Sequence, residues 1–373
     1  MNRSQRLLQR PLVSLILGAL ALPLLTGAAP TNGPAADDWK PPGGRIGYVL
    51  WDEYWGIRET ADAKEECPQG FNIGPREQFA ILYPQNGKPH KLVDSQLAYE
   101  ADVWFPTTKP DRFEFHEATG KYALGIDLDG KNSPEDFVSD DGRTGIDNEL
   151  FRVVGCVRNY RKEGELGIIT TKWRQQNPFN RVTFELTNVD SLKNDPEVTV
   201  SYYRTSDHLL SGTTGNFLPG GSQRIDGRWG KRFTATTRGR IVDGVLETDP
   251  FDLELPEWAL SDPSIIKFKG TKLRLALTPE RAEGVLGGYA DVEQWYYAMN
   301  TSWATHHAAY GQASAPSIYR ALRRRADGYP DPKTGENTAI SAVMDIKLAQ
   351  VYVIHPDQAA DRPTDMPARG ATN

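Results

Sequence analysis

Val182-Thr-Phe-Glu-Leu-Thr187 and Val198-Thr-Val-Ser-Tyr-Tyr203 alternate apolar and polar side chains with a period of two. Successive side chains of an extended backbone point to opposite faces. Val182, Phe184 and Leu186 therefore share one face and Thr183, Glu185 and Thr187 the other, as in a half-buried strand. Working outward, 232–242 and 245–248 flank Asp243-Gly244, a pair suited to a tight hairpin because both residues tolerate positive φ. Further strands are expected over 251–255, 265–269, 273–277 and 342–354, the last with Met344, Ile346 and Leu348 on one face and Asp345 and Lys347 on the other. The alternating region is read as running from about 165 to 290. Short strands separated by Gly and Pro predict a mainly β fold, an antiparallel β-sandwich or open barrel with a few short peripheral helices. Those helices are expected over 75–83, 148–155 (behind Asp147 as N-cap), 292–309 and 316–326.

The two ends read differently. Arg3, Arg6 and Arg10 precede an apolar run from Leu12 to Leu25, and Thr26 and Ala28 supply the small residues of a cleavage site. Residues 1–28 are thus expected to be a secretory signal peptide. Residues 29–43 have the Pro, Gly, Ala and Asp content of a linker, and 356–373 that of a disordered tail. Between them, 44–355 reads as a single large β-rich domain with a candidate sub-boundary near 160. The expected protein is periplasmic or secreted, with no membrane span after signal cleavage. The formal net charge of −6 becomes −9 without the three leader arginines, which argues against nucleic acid as a partner. Arg323, Arg324 and Arg325 fall where a helix ends, and cations there complement its dipole.

From Asp127 to Glu149 the chain holds eight carboxylates, Asp127, Asp129, Glu135, Asp136, Asp140, Asp141, Asp147 and Glu149, against only Lys131 and Arg143. Like charges a few ångströms apart repel by about 1 kcal/mol per pair even in water, whereas a bound Ca²⁺ takes roughly six to eight oxygens and reverses the sign. No register fits an EF-hand: counting from Asp127, position twelve is Val138, and counting from Asp140 it is Phe151. A two-part calcium cradle remains, with Asp127, Asp129, Asp140, Asp141 and Asp147 as expected ligands and Asn148 as a carbonyl donor. Gly130, Gly142 and Gly145 would let the backbone turn. In its Asp and Gly character the segment resembles the calcium loops of thrombospondin type 3 and dockerin modules. The run Ser139-Asp-Asp-Gly-Arg-Thr-Gly-Ile-Asp-Asn148, followed by Glu-Leu-Phe-Arg-Val-Val-Gly-Cys156, also resembles a segment of uncharacterised exported proteins of Gram-negative bacteria. The likeness extends to Gly287-Gly-Tyr and to Tyr319-Arg-Ala-Leu-Arg-Arg. It implies a compartment and no chemistry.

Cys67 and Cys156 are the two cysteines, and in an oxidising compartment they are expected to form a disulfide, worth roughly 4.6 kcal/mol in the loop-entropy model. Trp51, Trp55, Trp295 and Trp303 are candidate ligand-binding residues, because aromatic rings beside acids stack on the apolar faces of sugars. The competing reading is that they fill the core. His306 and His307 diverge by about 100° on a helix and would not chelate one metal together. No Gly-x-Ser-x-Gly or His-Glu-x-x-His motif, phosphate loop or dinucleotide fingerprint occurs. The resulting expectation is an exported calcium-binding protein without catalysis, partnered by a glycan or another cell-envelope component. The alternative is a secreted carboxylate-dependent glycoside hydrolase, with Asp291, Glu293 and Glu185 the candidate acids.

Overall fold

A computed structural model describes residues 39–59, 103–108, 116–157, 160–162, 164–259, 262–301 and 314–356, with Glu66, Pro84 and Gly87 singly. Eleven strands form one sheet: β1 (Arg45–Trp55), β2 (Val182–Thr187), β3 (Asp195–Arg204), β4 (Gly221–Arg224), β5 (Thr234–Val242), β6 (Val245–Thr248), β7 (Phe251–Ala259), β8 (Asp262–Leu277), β9 (Arg281–Asp291), β10 (Gly328–Pro330) and β11 (Asn337–Ile354). Eight of them, β1, β2, β3, β5, β6, β8, β9 and β11, pair antiparallel with their neighbours in chain order, and β11 pairs back onto β1 from Gly47↔Val351 to Trp55↔Met344. The fold is mainly β, as the alternation indicates, and the sheet takes the barrel form and closes. Closure removes the exposed edges an open sheet would present.

An eight-stranded barrel has an interior that side chains just fill. Tyr48, Phe184 and Tyr202 lie on adjacent strands at matched register, with the Phe184 and Tyr202 rings 5.5 Å apart. Leu246, Leu275, Leu286, Ile346 and Leu348 continue the buried core. The Asp243-Gly244 hairpin forms as expected, with φ of 49° and 80° at its two residues. The segments 265–269 and 273–277 are one long strand, β8, carrying a bulge between Lys269 and Lys272 against β9.

Two stretches differ from the periodicity reading. Residues 165–176 are not strand but helix α2 (Glu165–Gln176), following α1 (Glu149–Val154). Ile168-Ile169-Thr170-Thr171 favours strand by local propensity, and tertiary bonds override it: the Thr171 hydroxyl donates to the Glu53 carbonyl at 2.7 Å and Arg174 enters a buried ion cluster. Conversely, β1 shows no alternation because both its faces are covered. A register shift between Leu50 and Asp52 turns Glu53 and Trp55 to the side of Ile346 and Met344. Two more helices are α3 (Val292–Thr301) and α4 (Ala315–Arg325). The helix expected over 75–83 lies outside the described residues, as do 1–38, 302–313 and 357–373. Among the described residues no helix is long and apolar enough to cross a membrane. Cys156 is buried and is not a free thiol, while Cys67, its expected partner, lies outside the described residues.

The acidic arm docks on the outer face of the barrel. Ile126 and Leu128 pack against Val285 of β9 and Val343 of β11. Gly287 makes the room: a Cβ there would stand 2.4 Å from Ile126 Cγ2 and 3.3 Å from Val343 Cγ2. Gly287→Val is therefore expected to push the arm off the barrel and to cost roughly 1–3 kcal/mol of overpacking. Limited proteolysis of the 121–148 segment, faster in the variant, checks it.

Candidate metal centre

Alternation places the carboxylates. With Ile126 and Leu128 turned onto the barrel, Asp127 and Asp129 point the other way. The second arm runs alongside: Ile146 bridges Phe137, and the Asp147 N–H donates to the Ile126 carbonyl at 3.1 Å. The result is one oxygen from each of Asp127, Asp129 and Asp147 within 4.8 Å of the others. These three carboxylates can hold a metal ion.

Backbone N–H groups orient all three. Gly130 N–H donates to Asp127 Oδ1 (2.6 Å), Lys131 N–H to Asp129 Oδ1 (2.8 Å) and Leu128 N–H to Asp147 Oδ2 (2.6 Å). Gly145 is needed twice over, since its φ is 74° and a Cβ would lie 2.4 Å from the Lys131 carbonyl oxygen. Burial pushes the Asp147 carboxyl up to about 6, the Leu128 N–H opposes this, and the neighbouring Asp129 and Asp136 charges add to the rise. A metal-free cluster thus holds one carboxylate at a free-energy cost that a cation would remove.

The other expected ligands lie elsewhere. Asp140 pairs with Arg58 at 3.3 Å. Asp141 pairs with Arg143 at 2.9 Å and Arg274 at 3.3 Å. Burial pushes Asp141 up, but the Ser139 hydroxyl and the two arginines outweigh it and hold the carboxyl below its usual range. Their repulsion is neutralised by arginines from remote parts of the chain, which spacing within the acidic segment could not reveal. Asn148 is buried beside Asp147, its amide nitrogen donating to the carbonyls of Gly56 and Leu124, both at 2.8 Å. A cavity of about 370 Å³ opens next to the cluster, lined by Asp129, Asp147, Asn148, Tyr289 and Asn337 among others.

Of the tryptophans, Trp55 and Trp295 are buried in the core and meet edge to face, 5.8 Å between centroids. Rings so buried offer no open face to a sugar. Trp51 is half-buried on the outer side against Phe217, and Trp303, like His306 and His307, lies outside the described residues. The candidate acids are engaged too. Asp291 accepts the Gln294 N–H at the start of α3, and Glu293 accepts the Tyr319 hydroxyl at 2.6 Å; both line an open cleft of about 650 Å³. Buried Glu185 meets His355 Nε2 at 2.9 Å. Arg324 and Arg325 both bind Glu117, and Arg323 binds Glu336. No protein-family model, curated protein or solved structure matches the chain.

Proposed function

We propose that this chain is an exported, calcium-binding β-barrel protein that binds a ligand, a glycan or another envelope component, rather than transforming one. The observation that carries the reading is the convergence of Asp127, Asp129 and Asp147 within 4.8 Å on an arm fixed to a closed barrel. The donor set is all oxygen, which selects a hard cation, and three carboxylates supply about half the oxygens that Ca²⁺ accepts in its flexible shell. Mg²⁺ demands a stricter octahedron and holds its water more tightly. Export rests on the leader pattern alone.

Calorimetric titration and thermal melting test the metal. Calcium at roughly a hundred times its Kd is expected to stabilise the fold by about 2.7 kcal/mol, raising Tm over the EDTA-treated protein. An equal Tm in calcium and EDTA, with no heat of binding, removes the site. The hydrolase reading stands second because Asp291 and Glu293 are each already engaged, by the start of α3 and by Tyr319.

A further inference from the structure

Trp104 and Phe105 are 59% and 61% exposed, and Tyr297 is 38% exposed. The Trp104 and Tyr297 rings lie 5.3 Å apart and form one aromatic platform, with Phe105 next to it in the chain. Single exposed apolar side chains are ordinary, whereas adjoining aromatics held out of the core mark a contact surface. The platform is anchored. Val103 is buried and its carbonyl accepts the Tyr296 hydroxyl at 3.1 Å, which ties the 103–108 segment to α3. Tyr296 in turn meets Tyr319 of α4 edge to face, 5.0 Å between centroids.

A polar cleft adjoins the platform. Glu293 precedes Tyr297 by one turn of α3, so the two side chains are neighbours on its surface. Thr107 follows Phe105 in a turn whose Thr108 N–H and hydroxyl both donate to the Phe105 carbonyl. Glu293 and Thr107 line the open cleft of about 650 Å³ together with Asp291, Arg323, Glu336 and Thr338. Its charges are largely matched: Arg323 pairs with Glu336 at 3.2 Å, and Glu293 accepts the Tyr319 hydroxyl at 2.6 Å. Asp291, Glu293 and Glu336 against Arg320 and Arg323 leave the lining slightly negative. A carboxylate, sulfate or phosphate gains nothing there.

Size and chemistry select the occupant. Aromatic side chains bury ~150–250 Å² each, so these partly exposed rings offer roughly 300 Å², well under the ~800 Å² per partner of a stable protein interface. A short ligand needs no more. The ring faces carry the negative end of the aromatic quadrupole and so receive the C–H face of a pyranose. Carboxylates, arginines and threonine hydroxyls beside them supply both acceptors and donors for sugar hydroxyls. We propose that Trp104 and Tyr297, with Phe105 beside them, stack the rings of a neutral oligosaccharide whose hydroxyls hydrogen-bond in the adjoining cleft. This rests on the ligand-binding part of the function proposed above and names its site and ligand class. It uses none of the three clustered aspartates.

The experiment titrates the full chain calorimetrically with cellohexaose, maltohexaose, mannohexaose and chitohexaose, and with hexagalacturonate as the anionic comparison. At least one neutral oligosaccharide is expected to bind, equally in calcium and in EDTA, and more tightly than hexagalacturonate. Trp104→Ala is expected to weaken that binding at least about tenfold, as loss of an aromatic anchor does, and Trp104→Phe to retain most of it. Should Trp104→Ala not fold, Phe105→Ala is expected to weaken binding in the same direction, with Tm and the calcium titration unchanged. No binding of any neutral oligosaccharide, binding abolished by EDTA, or preference for hexagalacturonate overturns the proposal. A dimer in sedimentation that Trp104→Ala dissociates overturns it too, by giving the platform to a second copy of the chain. Oligosaccharide binding that survives Trp104→Ala overturns this site while leaving the glycan reading of the function in place, and the calcium titration decides the metal site separately.

Discussion

Arg174→Met is expected to destabilise the fold by roughly 3–5 kcal/mol, the cost of leaving a buried charge without its partner, out of a total that is typically about 5–15 kcal/mol. Arg174 projects from α2 toward Glu53 of β1 and Glu257 of β7, with no exposed surface. Its Nε donates to Glu53 Oε1 at 2.7 Å, its Nη2 lies 2.6 Å from the same oxygen and 3.1 Å from Glu257, and its Nη1 donates to the carbonyls of Pro256 and Asn180. Among the described residues Glu53 Oε2 has no partner. Burial pushes Glu257 up to about 8, the Glu53 charge adds to this and Arg174 opposes it. Burial pushes Glu53 up as well, with Arg174 opposing it, and the closer contact assigns the paired charge to Glu53. Methionine restores none of this: it strands Glu53 and frees two backbone carbonyls. Urea melting measures the loss. The double variant Arg174→Met with Glu53→Leu is expected to recover most of it, because an ion pair replaced by apolar groups is often neutral while a broken one is not. A single variant within about 1 kcal/mol of the parent, against the typical cost of a broken buried pair, would show that the cluster contributes little.

That cluster also marks the limit of what the sequence discloses. The alternation in Val182–Thr187 and Asp195–Arg204, and the turn chemistry of Asp243-Gly244, are local signals, and the structure follows them. Barrel closure is not local. It depends on β1 meeting β11 across almost the whole chain, and β1 is covered on both sides, which erases the period-two signal that would have identified it. Helix α2 was obscured for the opposite reason, since its β-branched run carries a strand-like signal that buried Arg174 and Thr171 override. At the acidic cluster, residue type and spacing were enough to bring out Asp127, Asp129 and Asp147, which the fold draws together. They did not separate these from Asp140 and Asp141, because the distinction is made by Arg58 and Arg274, which reach the arm only in three dimensions. Tyr289 and Asn337 line the adjoining cavity from distant strands, and no signal within the acidic arm points to them. Gly287 is the exception, a remote position that the quoted Gly287-Gly-Tyr segment singled out and whose missing side chain admits Ile126.

Calcium stabilisation is expected to fade as the pH falls through about 6, while the metal-free protein changes in the opposite direction at the same site. Asp147 is the reason. Its folded carboxyl is pushed up to about 6 from an ordinary value of 3.8, so between those limits the metal-free folded state holds more of this proton than the unfolded chain does. Stability contributed by the group is therefore fully present below the unfolded value and is lost as pH rises through the folded one. The shift corresponds to at most about 3 kcal/mol. Calcium binds the ionised form and must displace the proton, so its apparent affinity is expected to fall about tenfold per pH unit below the folded value. Melting in calcium and in EDTA at pH 7 and pH 5 reads both effects. The calcium-dependent rise in Tm is expected to be large at pH 7 and small at pH 5. Asp147→Asn isolates the site from other raised acids such as Glu257: the metal-free variant is expected to be more stable than the metal-free parent at pH 7 and to lose the difference at low pH, with no response to calcium. A calcium response unchanged between pH 7 and pH 5, or retained in the variant, would remove Asp147 from the ligand set and leave only Asp127 and Asp129 of the three carboxylates.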